Sequence, residues 1–148
     1  MDDKRMEVAG VKEKFTIVIG CGVARNYSLA YTRQAADGGR ADMVESHDSV
    51  EGKVYRIDQD ALHYLFQREG VNAHIYRPAF IDVKIDGLSY KNVVTFLVID
   101  KEEEVAPPAH YAMEILRGAQ DFVSVDYYRN LKNGLMTKFQ MKLEGGHF

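Results

Sequence analysis

The segment LFQREGV, residues 65–71, carries a glutamate where a helix disfavours one. In the preceding DQDALHYLFQRE, Ala61, Leu62, Leu65 and Phe66 fall at helical spacing, and Gly70 is a natural stop. Glu69 then belongs to the last turn, at the negative end of the helix dipole, where a carboxylate is destabilised. A group so placed holds its proton more readily than an ordinary glutamate. The competing reading is a solvated surface carboxylate without a role.

Other reactive residues give weaker signals. GCG, residues 20–22, follows an apolar run and could form a tight backbone turn near an anion. A dinucleotide fingerprint would need a third glycine at position 25, where Arg25 stands, and a helix after it, yet the next residues have the pattern of a strand. Cys21 is the one cysteine, so neither an intrachain disulfide nor a multi-cysteine zinc site can form, and no base lies near it in sequence. His47, His63, His74, His110 and His147 show no i, i+4 metal spacing. No metal or cofactor is expected.

The elements that must position these groups are legible in outline. Residues 1–14 are polar and are expected to be a loose segment, with a single domain over 15–148. FTIVIGCGV (15–23) and ARNYSLAYTR (24–33) have the patterns of two strands, Asp37-Gly38-Gly39 that of a turn, and SVEGKVYRI (49–57) that of another strand. Asp58 can cap the helix that follows. HIYRPAFIDVKID and SYKNVVTFLVID are long strands around Asp86-Gly87, a hairpin signal. After the charged loop KEEEVAPP come helical patterns at 109–122 and 124–145, with Asn133-Gly134 as a possible break. One helix between two groups of strands does not make a βαβ series, so the fold class is α+β with an antiparallel or mixed sheet.

The 148 residues, 46% hydrophobic and 28% charged, suit one globular domain. With a net charge of −3 and no basic run, nucleic acid is not an expected partner. The charged N-terminus has no signal-peptide core, and no apolar run reaches the roughly 20 residues of a membrane span. A cytoplasmic protein is the default expectation, with no membrane partner.

Several ordered blocks resemble the γ-glutamylcyclotransferase-like family. GVARNYSLAYTR is similar to that family's Ala-Arg-Leu strand, and GGRADMVESHDSVEGKVYRIDQDAL to its glycine turn, the strand after it, and the Val-x-Gly-x-x-Tyr strand that feeds the helix. REGV is similar to the helix-terminal Glu-Gly-Val, HIYRPAFIDV to a Tyr-bearing strand, and APPAHYAMEILRGAQDF to the Pro-rich loop and Gly-Ala helix. The resemblance implies a compact, mostly antiparallel β-barrel flanked by helices. It also implies a reaction in which the α-amine of a γ-glutamyl amine or amide attacks the γ-carbonyl, giving 5-oxoproline and a free amine. Glu69 would be the base and acid, and Tyr76 and Tyr111 would contact the substrate.

The sequence departs from the family in lacking the Tyr-Gly-Ser-Asn loop that holds the γ-glutamyl head group. The family's first strand and helix are largely absent by this alignment, and IGCG, with Gly20, Cys21 and Gly22, is a degenerate substitute for the loop. A missing strand would leave an edge in need of cover, by the N-terminal segment or by a second copy in a homodimer. Two functions follow: a cyclotransferase with an altered head-group site, or a non-catalytic module binding an amino-acid-like ligand.

Overall fold

The computed structural model describes residues 2–143. Its sheet is built on two 19-residue strands, β1 (Ile17–Ala35) and β2 (Gly38–Arg56), joined as an antiparallel hairpin. A second hairpin, β3 (Tyr76–Ile85) and β4 (Leu88–Val98), completes the order β2-β1-β3-β4, with every pairing antiparallel. Asp86 and Gly87, at φ 50° and 80°, form its two-residue turn, as the sequence predicts.

The two strands expected at 15–23 and 24–33 are one. β1 changes register against β2 between Val18 and Gly20, Arg25 and Tyr27, and Ala30 and Arg33, which bends it without ending it. Gly20 and Gly22 are therefore strand residues rather than an anion-binding turn. A Cβ on Gly20 would lie 2.6 Å from Ile85 Cγ2, and one on Gly22 2.7 Å from Val54 Cγ2. These glycines make room for neighbouring side chains. β2 begins at Gly38, directly after the turn, and joins into one strand the segment after the glycines and SVEGKVYRI, all paired with β1; Gly39 N–H donates to Ala106 O of the 102–106 loop at 2.9 Å.

The sheet does not close into a barrel through backbone pairing, since β2 and β4 are its ends. A side chain spans the seam instead. Asp42 of β2, 3% exposed, accepts from Val98 N of β4 (2.9 Å), Thr32 Oγ1 (2.8 Å) and Lys101 Nζ (2.5 Å). A buried carboxylate is tolerated where donors take up its lone pairs.

Residues 3–9, expected to be loose, form a helix, α1 (Asp3–Ala9). Asp2 caps it by accepting from Arg5 N at 3.3 Å, and Gly10 ends it at φ 72°. Its one buried residue, Met6, is 2% exposed and packs with Phe15 and Ala61. A 3-10 turn (Lys12–Phe15) leads into β1. α2 (Gln59–Arg68) is capped by Asp58, which accepts from Ala61 N at 2.9 Å. α3 (Ala109–Ala119) and α4 (Val125–Lys138) follow the 99–108 loop. α4 runs through Asn133-Gly134 unbroken and stops at Lys138, well short of residue 145; residues 144–148 lie outside the described part. Ala112, Leu116 and Leu135 of these helices pack with Tyr31 of β1 as the main core. Among the described residues no helix is long and apolar enough to cross a membrane.

Candidate functional site

Glu69 is the C-cap of α2, with φ −83° and ψ 2°. The chain then turns through Gly70 at φ 63°, a left-handed conformation that costs glycine little. Gly70 N donates to Gln67 O (3.2 Å) and Val71 N to Phe66 O (3.0 Å). These two bonds are the Schellman arrangement, which ends a helix abruptly and fixes the direction of the capping residue. Ile75 packs under Gly70, where a Cβ would come within 3.1 Å. Glu69 is half-buried. Burial raises its pKa above the ordinary value of 4.5, and the neighbouring Arg68 guanidinium opposes the rise.

Tyr76 and Tyr111 converge on the backbone of one residue. Tyr76 Oη donates to Ala41 O at 2.8 Å, and Tyr111 Oη accepts from Ala41 N at 3.1 Å. Ala41 lies in the β1–β2 irregularity between Arg40 and Asp42, where it has no ladder partner, so the two phenols satisfy both of its backbone groups. Because Tyr111 accepts there, its own proton is left to donate. Because Tyr76 donates there, its lone pairs are left to accept. Burial raises the pKa of both phenols. For Tyr76 the nearby Tyr111 and Glu69 add to the rise, and for Tyr111 the Ala41 N–H partly offsets it. Arg40 stacks over the Tyr111 ring, with its Cζ 4.8 Å from the centroid.

Glu69, Tyr76 and Tyr111 line a common cavity of about 540 Å³. Arg40 and Arg68 also line it, as do His110, Glu114 and Arg117 of α3. The remaining wall is α1, through Lys4, Arg5 and Val8. Reading residues 1–14 as loose left this wall unseen; an aspartate positioned to cap, followed by one apolar residue four positions later, was the available signal. A second cavity, about 260 Å³, shares Arg5, Arg68, Tyr111 and Glu114 with the first and continues along Leu29, Val50 and Ile115. The first is the better candidate for chemistry because Glu69 lines it.

Gly20, Cys21 and Gly22 line neither cavity. Cys21 is half-buried, with its thiol 3.8 Å from Glu51 Oε1, and burial foremost, then Glu51, pushes its pKa up, away from a reactive thiolate. Among the described residues no group of three or more His, Cys, Asp or Glu side chains could hold a metal ion.

The AIG2-like family pattern matches residues 49–131, more than half of the chain, a stretch that contains Glu69, Tyr76 and Tyr111. The chain belongs to this AIG2-like, γ-glutamylcyclotransferase-like family. It is 46% identical over 132 residues to YkqA of Bacillus subtilis (strain 168), provisionally named a gamma-glutamylcyclotransferase; the match takes in 89% of this chain and 48% of that protein. The crystal structure of YkqA aligns with a TM-score of 0.88 at 44% identity, over 92% of this chain and 51% of that one. The chain thus spans about half the length of this relative. A structure titled gamma-glutamyl cyclotransferase aligns with a TM-score of 0.75 at 19% identity, over 87% of this chain and 79% of that one, and shares the fold.

Proposed function

We propose that the chain cyclises a γ-glutamyl amine or amide to 5-oxoproline, with Glu69 as general acid and base. The observation that carries this reading is a half-buried helix-terminal carboxylate of raised pKa lining a cavity with two tyrosines. The substrate's α-ammonium gives a proton to the Glu69 carboxylate. The freed amine attacks the γ-carbonyl carbon, and a C–N bond forms as the carbonyl π pair moves to oxygen. On collapse the carbonyl re-forms, the bond to the leaving amine breaks and the departing nitrogen takes the proton from Glu69. The ring nitrogen, which still carries two hydrogens, gives its second proton to the Glu69 carboxylate so regenerated, and from there it passes to the released amine or to solvent. One group can serve both transfers when its pKa lies near the working pH. Tyr111 has a proton to give a ligand oxygen, and Tyr76 lone pairs to receive a ligand N–H. Ring closure is intramolecular, so holding the substrate bent removes much of the barrier.

A second reading, a non-catalytic module binding an amino-acid-like ligand, is favoured by one observation: the sequence has no Tyr-Gly-Ser-Asn segment to cradle a head group. A screen of γ-glutamyl compounds for 5-oxoproline release by wild type and Glu69→Gln separates the two. The enzyme releases 5-oxoproline only with Glu69 present, whereas the binding module takes up ligand with either side chain and turns over none.

A further inference from the structure

The Ala41 backbone anchors both cavity tyrosines, so whatever fixes Ala41 acts on the Glu69 site from outside it. Ladder pairing stops at Ala30 opposite Asp42 and resumes at Arg33 opposite Arg40, which leaves Tyr31 and Thr32 of β1 facing the single residue Ala41. This is a bulge with its extra residue on β1. A regular ladder would pair the Ala41 N–H and C=O with β1. Here the bulge leaves them to the two phenols.

The bulge is tied on both strands. On β1, Tyr31 N donates to Glu104 Oε2 at 2.9 Å, Tyr31 O accepts from Val105 N at 3.2 Å and Thr32 O accepts from Glu102 N at 3.0 Å, so the 102–106 loop takes these groups. On β2 the tie is Asp42, the residue after Ala41. Its Oδ1 accepts from Val98 N of β4, and its Oδ2 from both Thr32 Oγ1 and Lys101 Nζ. Lys101 also donates to Val98 O at 3.0 Å. The Thr32 bond crosses the bulge itself. One buried carboxylate thus joins β1, β2 and β4 next to the residue that anchors Tyr76 and Tyr111, and it lines neither the Glu69 cavity nor its neighbour.

Resting on the cyclotransfer reading, we infer that Asp42 is a positioning residue of the Glu69 site. It holds the bulge open, keeps the Ala41 N–H on Tyr111 and the Ala41 C=O on Tyr76, and so fixes where the two phenols stand relative to Glu69. Without the clasp, Ala41 is free to return to ladder pairing with β1, and both phenols lose their anchor. Asp42→Asn tests this side of the clasp in particular. Its Oδ1 still accepts from Val98, while an amide nitrogen replaces the Oδ2 that serves Thr32 and Lys101.

The test reads Ala41 and the reaction separately. In Asp42→Asn, amide hydrogen exchange at Ala41 should accelerate toward that of Tyr111→Phe, beyond any change at Leu116 in the α3 core, which reports global stability. On γ-glutamyl-alanine, kcat/KM should fall by about tenfold to a hundredfold where the variant is fully folded, the scale of loss that misplaced groups produce. In a Tyr111→Phe background the same substitution should cost a smaller factor, because one of the phenols it positions is already gone. A purely structural loss gives the same factor in both backgrounds. Thr32→Val, which cuts the bond across the bulge, carries the same comparison if Asp42→Asn does not fold. Ala41 exchange that only tracks Leu116, or an equal factor in the two backgrounds, overturns the inference and leaves cyclotransfer by Glu69 standing. A wild type that turns over no γ-glutamyl compound sinks the cyclotransfer reading instead, and Ala41 exchange alone then upholds or overturns the hold of Asp42 on the two phenols.

Discussion

At the scale of single residues, Glu69 is the uncomfortable group of the fold. Its pKa is raised above 4.5, chiefly by burial, so the folded chain binds this proton more tightly than the unfolded chain does. The sign follows: Glu69 favours folding when protonated, and that benefit is lost as pH rises from the unfolded value through the raised folded one. Glu69→Gln should therefore be at least as stable as wild type at pH 7, with the advantage shrinking as pH falls toward 4.5. Urea denaturation at the two pH values measures this, and an advantage that grew on acidification would contradict it. Tyr111 behaves differently. Phe at position 111 would leave Ala41 N–H without its acceptor, and Phe at position 76 would take the donor from Ala41 O. Each change should cost about 1–3 kcal/mol of stability if water does not replace the hydroxyl. Each should also weaken ligand positioning while residual rate survives, which stability and kinetics measured on the same proteins would show.

At the scale of elements, what was legible follows from how much of an element's information is local. α2 was readable with its Asp58 cap, its Gly70 stop and the glutamate between them, because capping and Schellman chemistry act within a few residues. The Asp86-Gly87 hairpin was readable for the same reason. The bends in β1 were not. They depend on which residue of β2 lies opposite and on the 102–106 loop, whose Glu102 and Val105 N–H groups take the carbonyls of Thr32 and Tyr31 that the ladder leaves aside. α1 was hidden by its composition, since a single buried methionine leaves no amphipathic stripe to detect. The expectation of an edge in need of cover does not point to the Asp42 link between β2 and β4, because that bond joins residues 56 apart in sequence. Asp42→Ala should be destabilising by at least about 2 kcal/mol, because it orphans the buried N–H of Val98 and removes a charge-assisted bond to Lys101. Asp42→Asn, which can still accept from Val98, should cost less. Thermal denaturation of the pair would rank them, and equal stability of Asp42→Ala and wild type would show that the clasp contributes nothing.

At the scale of the whole molecule, α1, α2 and α3 line, with residues of β2 and β3, a cavity that Glu69, Tyr76 and Tyr111 reach from three different elements. Tyr76 and Tyr111 were read from ordered family blocks rather than from any local pattern; the glycines of GCG, read from a local pattern and from the alignment of IGCG with the family's head-group loop, are strand residues of β1 whose missing Cβ leaves room for Ile85 and Val54. The central claim is that Glu69 moves the protons of a γ-glutamyl ring closure. It is tested most directly by measuring 5-oxoproline released from γ-glutamyl-amino acids by wild type and Glu69→Gln at matched concentration and confirmed fold. Gln keeps the shape and hydrogen-bonding reach of Glu but cannot take the ammonium proton. The expected result is release by wild type, with a rate lower by about 10²–10⁴-fold in the variant. Release at the same rate by both proteins, or by neither on any γ-glutamyl substrate, would contradict it.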